Sequence, residues 1–174
     1  MAHCMQKSNG HPGRGEGEGG IGWIAMDLRT RYPRSPREKL AGYVHLGRMI
    51  DKCRAVLAGT QGEYIYPCPL DNRLLEFAGI TAEQFTEAVG GRSDQAVAES
   101  FRKTAKPRSA DEIEQWNEMM LTRGPDTEEK WAYFKKQRDA IDPSRTDITS
   151  WADLLDLDEK RPVPKRTAIP IGEP

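Results

Sequence analysis

From Leu40 onward, apolar and small residues recur three and four positions apart: Leu40, Tyr43, Val44, Gly47, Ile50 and Leu57, with Arg54 in the same stripe. That period is the mark of an amphipathic helix. Ser35-Pro36-Arg37-Glu38 stands ahead of it and supplies an N-cap serine, a proline at the first helical position and a glutamate at the third. The pattern predicts one long helix from Ser35 to Ala58, stopped at Gly59. Gly47 inside it costs about 1 kcal/mol relative to alanine, so another element should pass close there. The stretch Glu63–Pro69 carries Pro67 and Pro69 and is expected to be extended.

Punctuation downstream is regular. A short helix is expected from about Asp71 to Ala78, ended by Gly79. Thr81 with Gln84 opens the next, closed by Gly90-Gly91, and Ser93 or Asp94 caps another that reaches about Lys103. Residues 103–108 read as a polar hinge. Ser109 with Glu112 opens a helix that stops at Gly124-Pro125, and Asp126 with Glu129 opens one that runs through about Ile141. Trp151, Leu154 and Leu155 mark a last short apolar face. The expected fold class is all-α: a compact helical domain of two lobes, 27–103 and 109–161, with one extended segment near 63–69. Residues 1–25 read as a glycine-rich disordered tail, with Met26 the expected true start, and residues 162–174 as a loose proline-rich tail.

Composition changes this picture only at the edges. Hydrophobic residues make up 37% of the 174 and charged residues 30%, with mean hydropathy −0.74, so part of the chain carries no core. No apolar run nears the roughly 20 residues that span a bilayer, and no apolar segment follows the N-terminus, so a soluble, cytoplasmic protein is expected. Cys4, Cys53 and Cys68 are odd in number and widely spaced, which fits free thiols better than a disulfide framework or a zinc ribbon. The net charge of −1 hides an asymmetry. Eight Lys/Arg face three Asp/Glu between residues 27 and 60, and eight face fourteen between 109 and 161.

Three constellations could carry chemistry. Cys68 lies between two prolines and just before a predicted helix, where the dipole favours thiolate; the reading set against this, and preferred to it because no base is adjacent in sequence, is a small buried residue. With it, His45 and Asp71 are the catalytic candidates. Arg48 and Lys52 follow His45 at three and seven residues on one helix face, with Arg37 near in projection. This face is either a site for a small anionic ligand, with Tyr66 as a further candidate, or a solvated cationic surface. Arg29, Arg31, Arg34, Arg37 and Lys39 surround Tyr32, a pattern that grips phosphates. The acidic second lobe offers these cations an internal partner, however, and the reading goes against nucleic acid. The acidic group Asp153, Asp156, Asp158 and Glu159 lacks the glycine turn and alternating ligands of a calcium loop. No phosphate loop, nucleophile elbow or zinc-protease motif is present, and neither cofactor nor metal is expected.

Several long strings resemble a bacterial domain-of-unknown-function family, DUF5069. Asp27–Leu40 is similar to its opening, Gly42–Ala55 to its signature helix, and Tyr64–Asp71 and Trp151–Asp156 to later blocks, so the likeness runs from Asp27 to about Arg161. The resemblance implies no activity, cofactor or catalytic residue, and it agrees with a start at Met26. On the residues alone, the expected function is a cytoplasmic helical binding or interaction module for an unknown protein or small anionic ligand, without a membrane. The alternative is a small-molecule enzyme or thiol-based redox-responsive protein that uses Cys68 with His45 and Arg48.

Overall fold

The computed structural model describes residues 25–165. All of the expected N-terminal tail but its last residue lies outside them, as does the end of the C-terminal one. Among the described residues seven helices follow one another: α1 (Leu46–Leu57), α2 (Pro69–Ala78), α3 (Ala82–Val89), α4 (Asp94–Thr104), α5 (Ala110–Thr122), α6 (Glu128–Ile141) and α7 (Trp151–Asp158). No sheet forms among the described residues; the one bridge joins Leu40 to Tyr43. The fold is all-α.

The long first helix is shorter than its period predicts. Leu40 and Tyr43 exchange both backbone hydrogen bonds, at 3.0 and 2.9 Å, across a turn in which Ala41 and Gly42 take φ of 56° and 92°. Two consecutive positive φ values define a tight hairpin turn, which a helix cannot accommodate. Ser35 and Glu38 still make capping-type contacts, but these serve a local turn: Arg37 N donates to Ser35 Oγ and Ser35 N to Glu38 Oε1. The helix begins only after His45.

Other boundaries follow the local chemistry. Pro69 is the first residue of α2, so the extended segment ends at Cys68. Gly79, left-handed at φ 67°, ends that helix. Thr81 and Gln84 form the expected reciprocal cap, as do Ser109 and Glu112. Ser93 is the cap of α4. At α6 the cap is Thr127 rather than Asp126, whose carboxylate instead pairs with Arg123 and Lys130. Ser150 caps α7, which the apolar face alone did not reveal.

The chain divides into two compact units after Gln115, within α5. In the first, α3 packs on both α1 and α4. Its core gathers Leu46, Met49, Ile50, Leu74, Phe85, Val89 and Val97, with Tyr43 and Phe85 each edge-on to Phe101. In the second, α6 packs on α7, and Phe134 meets Trp131 and Trp151 edge-on. Ile148, Leu154 and Leu155 are buried there. Asp156 and Glu159 are buried too, and Arg161 bridges them.

Candidate functional site

Helix α1 buries its polar side as well as its apolar one. His45, Arg48 and Lys52 are each 2% exposed. The cationic stripe is therefore neither a solvated face nor an open anion site, and the reason lies in what packs against it. The segment before α1 lays the Arg34 guanidinium over Gly47, where an added Cβ would come within 3.1 Å of Arg34 Nε. Here is the close approach that the glycine predicts. Arg34 in turn grips both Asp51 oxygens, at 2.8 and 3.0 Å, and reaches Asp94 at 2.6 Å, while Arg54 binds Asp94 from the other side at 2.7 Å. Arg48 donates to the Arg34 carbonyl and lies over the Tyr64 ring.

Further along the same buried side, α1 meets the start of α2. Cys68 is the N-cap of α2 and Asp71 its third residue. Cys68 N donates to Asp71 Oδ2 at 2.8 Å, and the Asp71 amide faces the Cys68 sulfur, so the two form a capping box with sulfur in place of a hydroxyl. Asp71 is fully buried and receives two more donors from α1 and its cap: His45 Nε2 on Oδ1 at 2.9 Å, and Lys52 Nζ on Oδ2 at 2.6 Å. Burial alone would raise the Asp71 carboxyl. The charge of Lys52, with the His45 hydrogen bond and the Cys68 amide, outweighs it and holds the group below the ordinary carboxylate range. An ionised carboxylate only accepts, so His45 Nε2 is the donor.

Lys52 Nζ donates inward, to Asp71 Oδ2, to the Ile65 carbonyl at 3.3 Å and to Cys68 Sγ at 3.2 Å. The sulfur is thus faced by an ammonium and by the Asp71 amide in the first turn of a helix. His45 completes the cluster from a strained position. Its φ is 66°, and its ring turns to Asp71 instead of capping α1. A left-handed conformation in a residue other than glycine costs of order 1–3 kcal/mol and persists where the surroundings enforce it.

The ligand atoms of His45, Cys68 and Asp71 lie within 4.8 Å of one another, a set that could hold a metal ion. Lys52 Nζ, however, contacts two of the three and already supplies the cation. A metal would have to displace a saturated ammonium from a buried ion pair, so the cluster reads as an ionic network around a thiol.

Among the sequence candidates, Cys68, His45, Asp71 and Lys52 converge, and Arg48 sits beside them on α1. Tyr66 turns elsewhere: its hydroxyl meets Thr86 and the Ala82 carbonyl, and burial raises it. Arg37 is half-buried in the Ser35 turn. Sequence reasoning missed the Arg34–Asp51–Asp94–Arg54 network, whose only local signal is Gly47 itself. It also placed the start of α2 too late, although Pro69 carries the same first-position signature as Pro36. The basic stretch around Tyr32 is largely consumed within its own unit: Arg29 pairs with Asp27, Arg34 with Asp51 and Asp94, and Lys39 with Glu114.

No helix among the described residues is long and apolar enough to cross a membrane. No curated protein matches the chain. A family model described as a domain of unknown function, DUF5069, matches residues 30–161, most of the chain, and the chain belongs to that family.

Proposed function

We propose that this chain is a thiol-based redox-responsive protein in which Cys68 is the reacting group. One observation carries the reading: a buried sulfur at a helix N-cap lies 3.2 Å from a lysine ammonium that is itself anchored by a buried carboxylate. Ammonium and helix amides both stabilise negative sulfur, the form that reacts with peroxides. In the reaction the thiolate attacks one peroxide oxygen, the O–O bond breaks and an S–O bond forms. The departing hydroxide takes a proton and leaves as water, and the product is a sulfenic acid that thiol reductants return to cysteine. His45 and Asp71 are positioning residues here, since they hold Lys52 and the N-cap in place.

Burial favours a redox role over turnover of a larger substrate. His45, Lys52, Asp71 and Cys68 are each 2% exposed or less. A peroxide, scarcely larger than water, reaches such a place through small openings, and a drug-sized metabolite does not. Free buried thiols also suit a reducing, cytoplasmic compartment. The same burial supports a second reading, in which the cluster is a structural polar core and the protein is a helical binding module. That reading loses the anionic ligand first expected at Arg48 and Lys52, because both cations are committed inside.

Cys53 provides an internal control. It is equally buried, it neighbours Thr86, and burial raises its thiol. The native protein is treated with hydrogen peroxide, quenched with catalase, unfolded and alkylated, and each cysteine is followed by peptide mass. Cys68 should lose alkylation well before Cys53, and Lys52→Met combined with Asp71→Leu, which removes the ammonium without leaving a buried unpaired charge, should slow that loss. Equal rates at the two cysteines would instead assign the cluster a structural role.

A further inference from the structure

The partner that the sulfur touches is a primary amine, and this suggests a product more specific than sulfenic acid. We infer that oxidation links Cys68 to Lys52 through one oxygen atom, as an N–O–S bridge between α1 and the N-cap of α2. The inference rests on the redox reading above and narrows it to a modification site of two residues.

Geometry is the warrant. Sγ and Nζ are 3.2 Å apart inside the core, a separation that a single bridging oxygen spans with a small closure. Both chains are held in that register from other directions: Lys52 by Asp71 and the Ile65 carbonyl, Cys68 by its own amide on Asp71. Cys53, the other described free cysteine, is directed to Thr86, so a disulfide is not the product the arrangement favours.

The reaction balances with a peroxide as oxidant. Thiolate and ammonium with two equivalents of hydrogen peroxide give the bridge and three waters. Sulfur and nitrogen each lose two electrons, and each peroxide accepts two as its O–O bond breaks. One S–O and one N–O bond form, and two N–H bonds are lost. The three remaining peroxide oxygens leave as water. The hydroxide that departs from each peroxide takes a proton and leaves as water, while Asp71 Oδ2, 2.6 Å from Nζ and itself held by His45 on Oδ1, keeps the nitrogen in register with the sulfur. The bridge discharges Lys52, so Asp71 loses its counter-ion in the oxidised state.

The test uses the full chain carrying Cys53→Ala, treated with hydrogen peroxide, unfolded without reductant and digested with trypsin. The expected product joins the peptide 49–54 to the peptide 55–73. Its mass exceeds their sum by one oxygen less two hydrogens, about +14 Da, as an oxidised cysteine linked to an amine requires. It is uncleaved after Lys52, and dithiothreitol resolves it to the two parent peptides. Lys52→Arg, checked for helical circular dichroism, should yield no linked peptide while Cys68 still gains one oxygen. If Cys68 gains oxygen in the Cys53→Ala protein and trypsin still cuts after Lys52, the bridge is overturned and the redox reading stands. If Cys68 takes up no oxygen at all, both fall.

Discussion

Lys52 and Asp71 show how a single pair controls the buried cluster. Two charges taken out of water hold each other only while both are present, and deleting one leaves the other uncompensated. Lys52→Met should therefore destabilise the protein by about 3–5 kcal/mol in urea unfolding, whereas Lys52→Met with Asp71→Leu should recover much of the loss. A double variant no more stable than the single one would mean that the pair is not coupled. Asp71 also sets an acid response. Its folded pKa is depressed, so the unfolded chain binds more protons at low pH, and the contribution of Asp71 is fully present above the unfolded value of about 3.9. It is lost as pH falls from there toward the folded value. In Asp71→Asn the stability curve should be flatter below about pH 4 than in the parent, a comparison that thermal melts across that range provide.

Helix α1 is defined by what surrounds it more than by its own stripe. A glycine-to-alanine change in a helix interior normally gains up to about 1 kcal/mol. At Gly47 the new methyl meets Arg34 Nε and Cζ at 3.1 and 3.2 Å, in a guanidinium pinned by Asp51 and Asp94. That group cannot move without releasing its carboxylates, so Gly47→Ala should destabilise by about 1–2 kcal/mol. In an Arg34→Ala background the sign should reverse, and a double-mutant cycle in urea measures both. The caps behave more simply. Ser150 is buried, and its hydroxyl accepts from Asp153 N, so Ser150→Ala should cost about 1 kcal/mol. Ser35→Ala should cost less, because Ser35 supports a turn and not the start of a helix.

Across the first unit, stability should vary with position, and that variation governs access to the thiol. Cys53 lies in the middle of α1, whereas Cys68 follows the non-helical run from Gln61 to Pro67. Loops joined by few hydrogen bonds open at lower free energy than central helices. In a Cys4→Ser variant, a bulky disulfide reagent should label Cys68 before Cys53, both far more slowly than in the unfolded chain. Labelling of the two at one common rate would mean that the unit opens only as a whole.

Helix starts and stops were legible in the chain because they are local events. A cap joins residues three apart, a proline acts on its neighbour, and a left-handed glycine such as Gly79 needs no partner. The all-helical class followed from those signals, and so did the candidacy of Cys68, while His45 and Lys52 were legible as one face of the predicted first helix. The short α1 was not legible: Ser35–Glu38 and the stripe after it agree locally with a longer helix, and the Ala41-Gly42 turn prevails because it lets Leu40 and Tyr43 pair. Nor was the burial of the cationic face. Whether Arg48 and Lys52 meet water or protein depends on chain 14 to 19 residues away folding back over α1, as the Arg48–Arg34 and Lys52–Asp71 bonds require. Local patterning is written in neighbouring side chains, whereas the contact of a thiol with an ammonium across two helices arises from packing between distant segments.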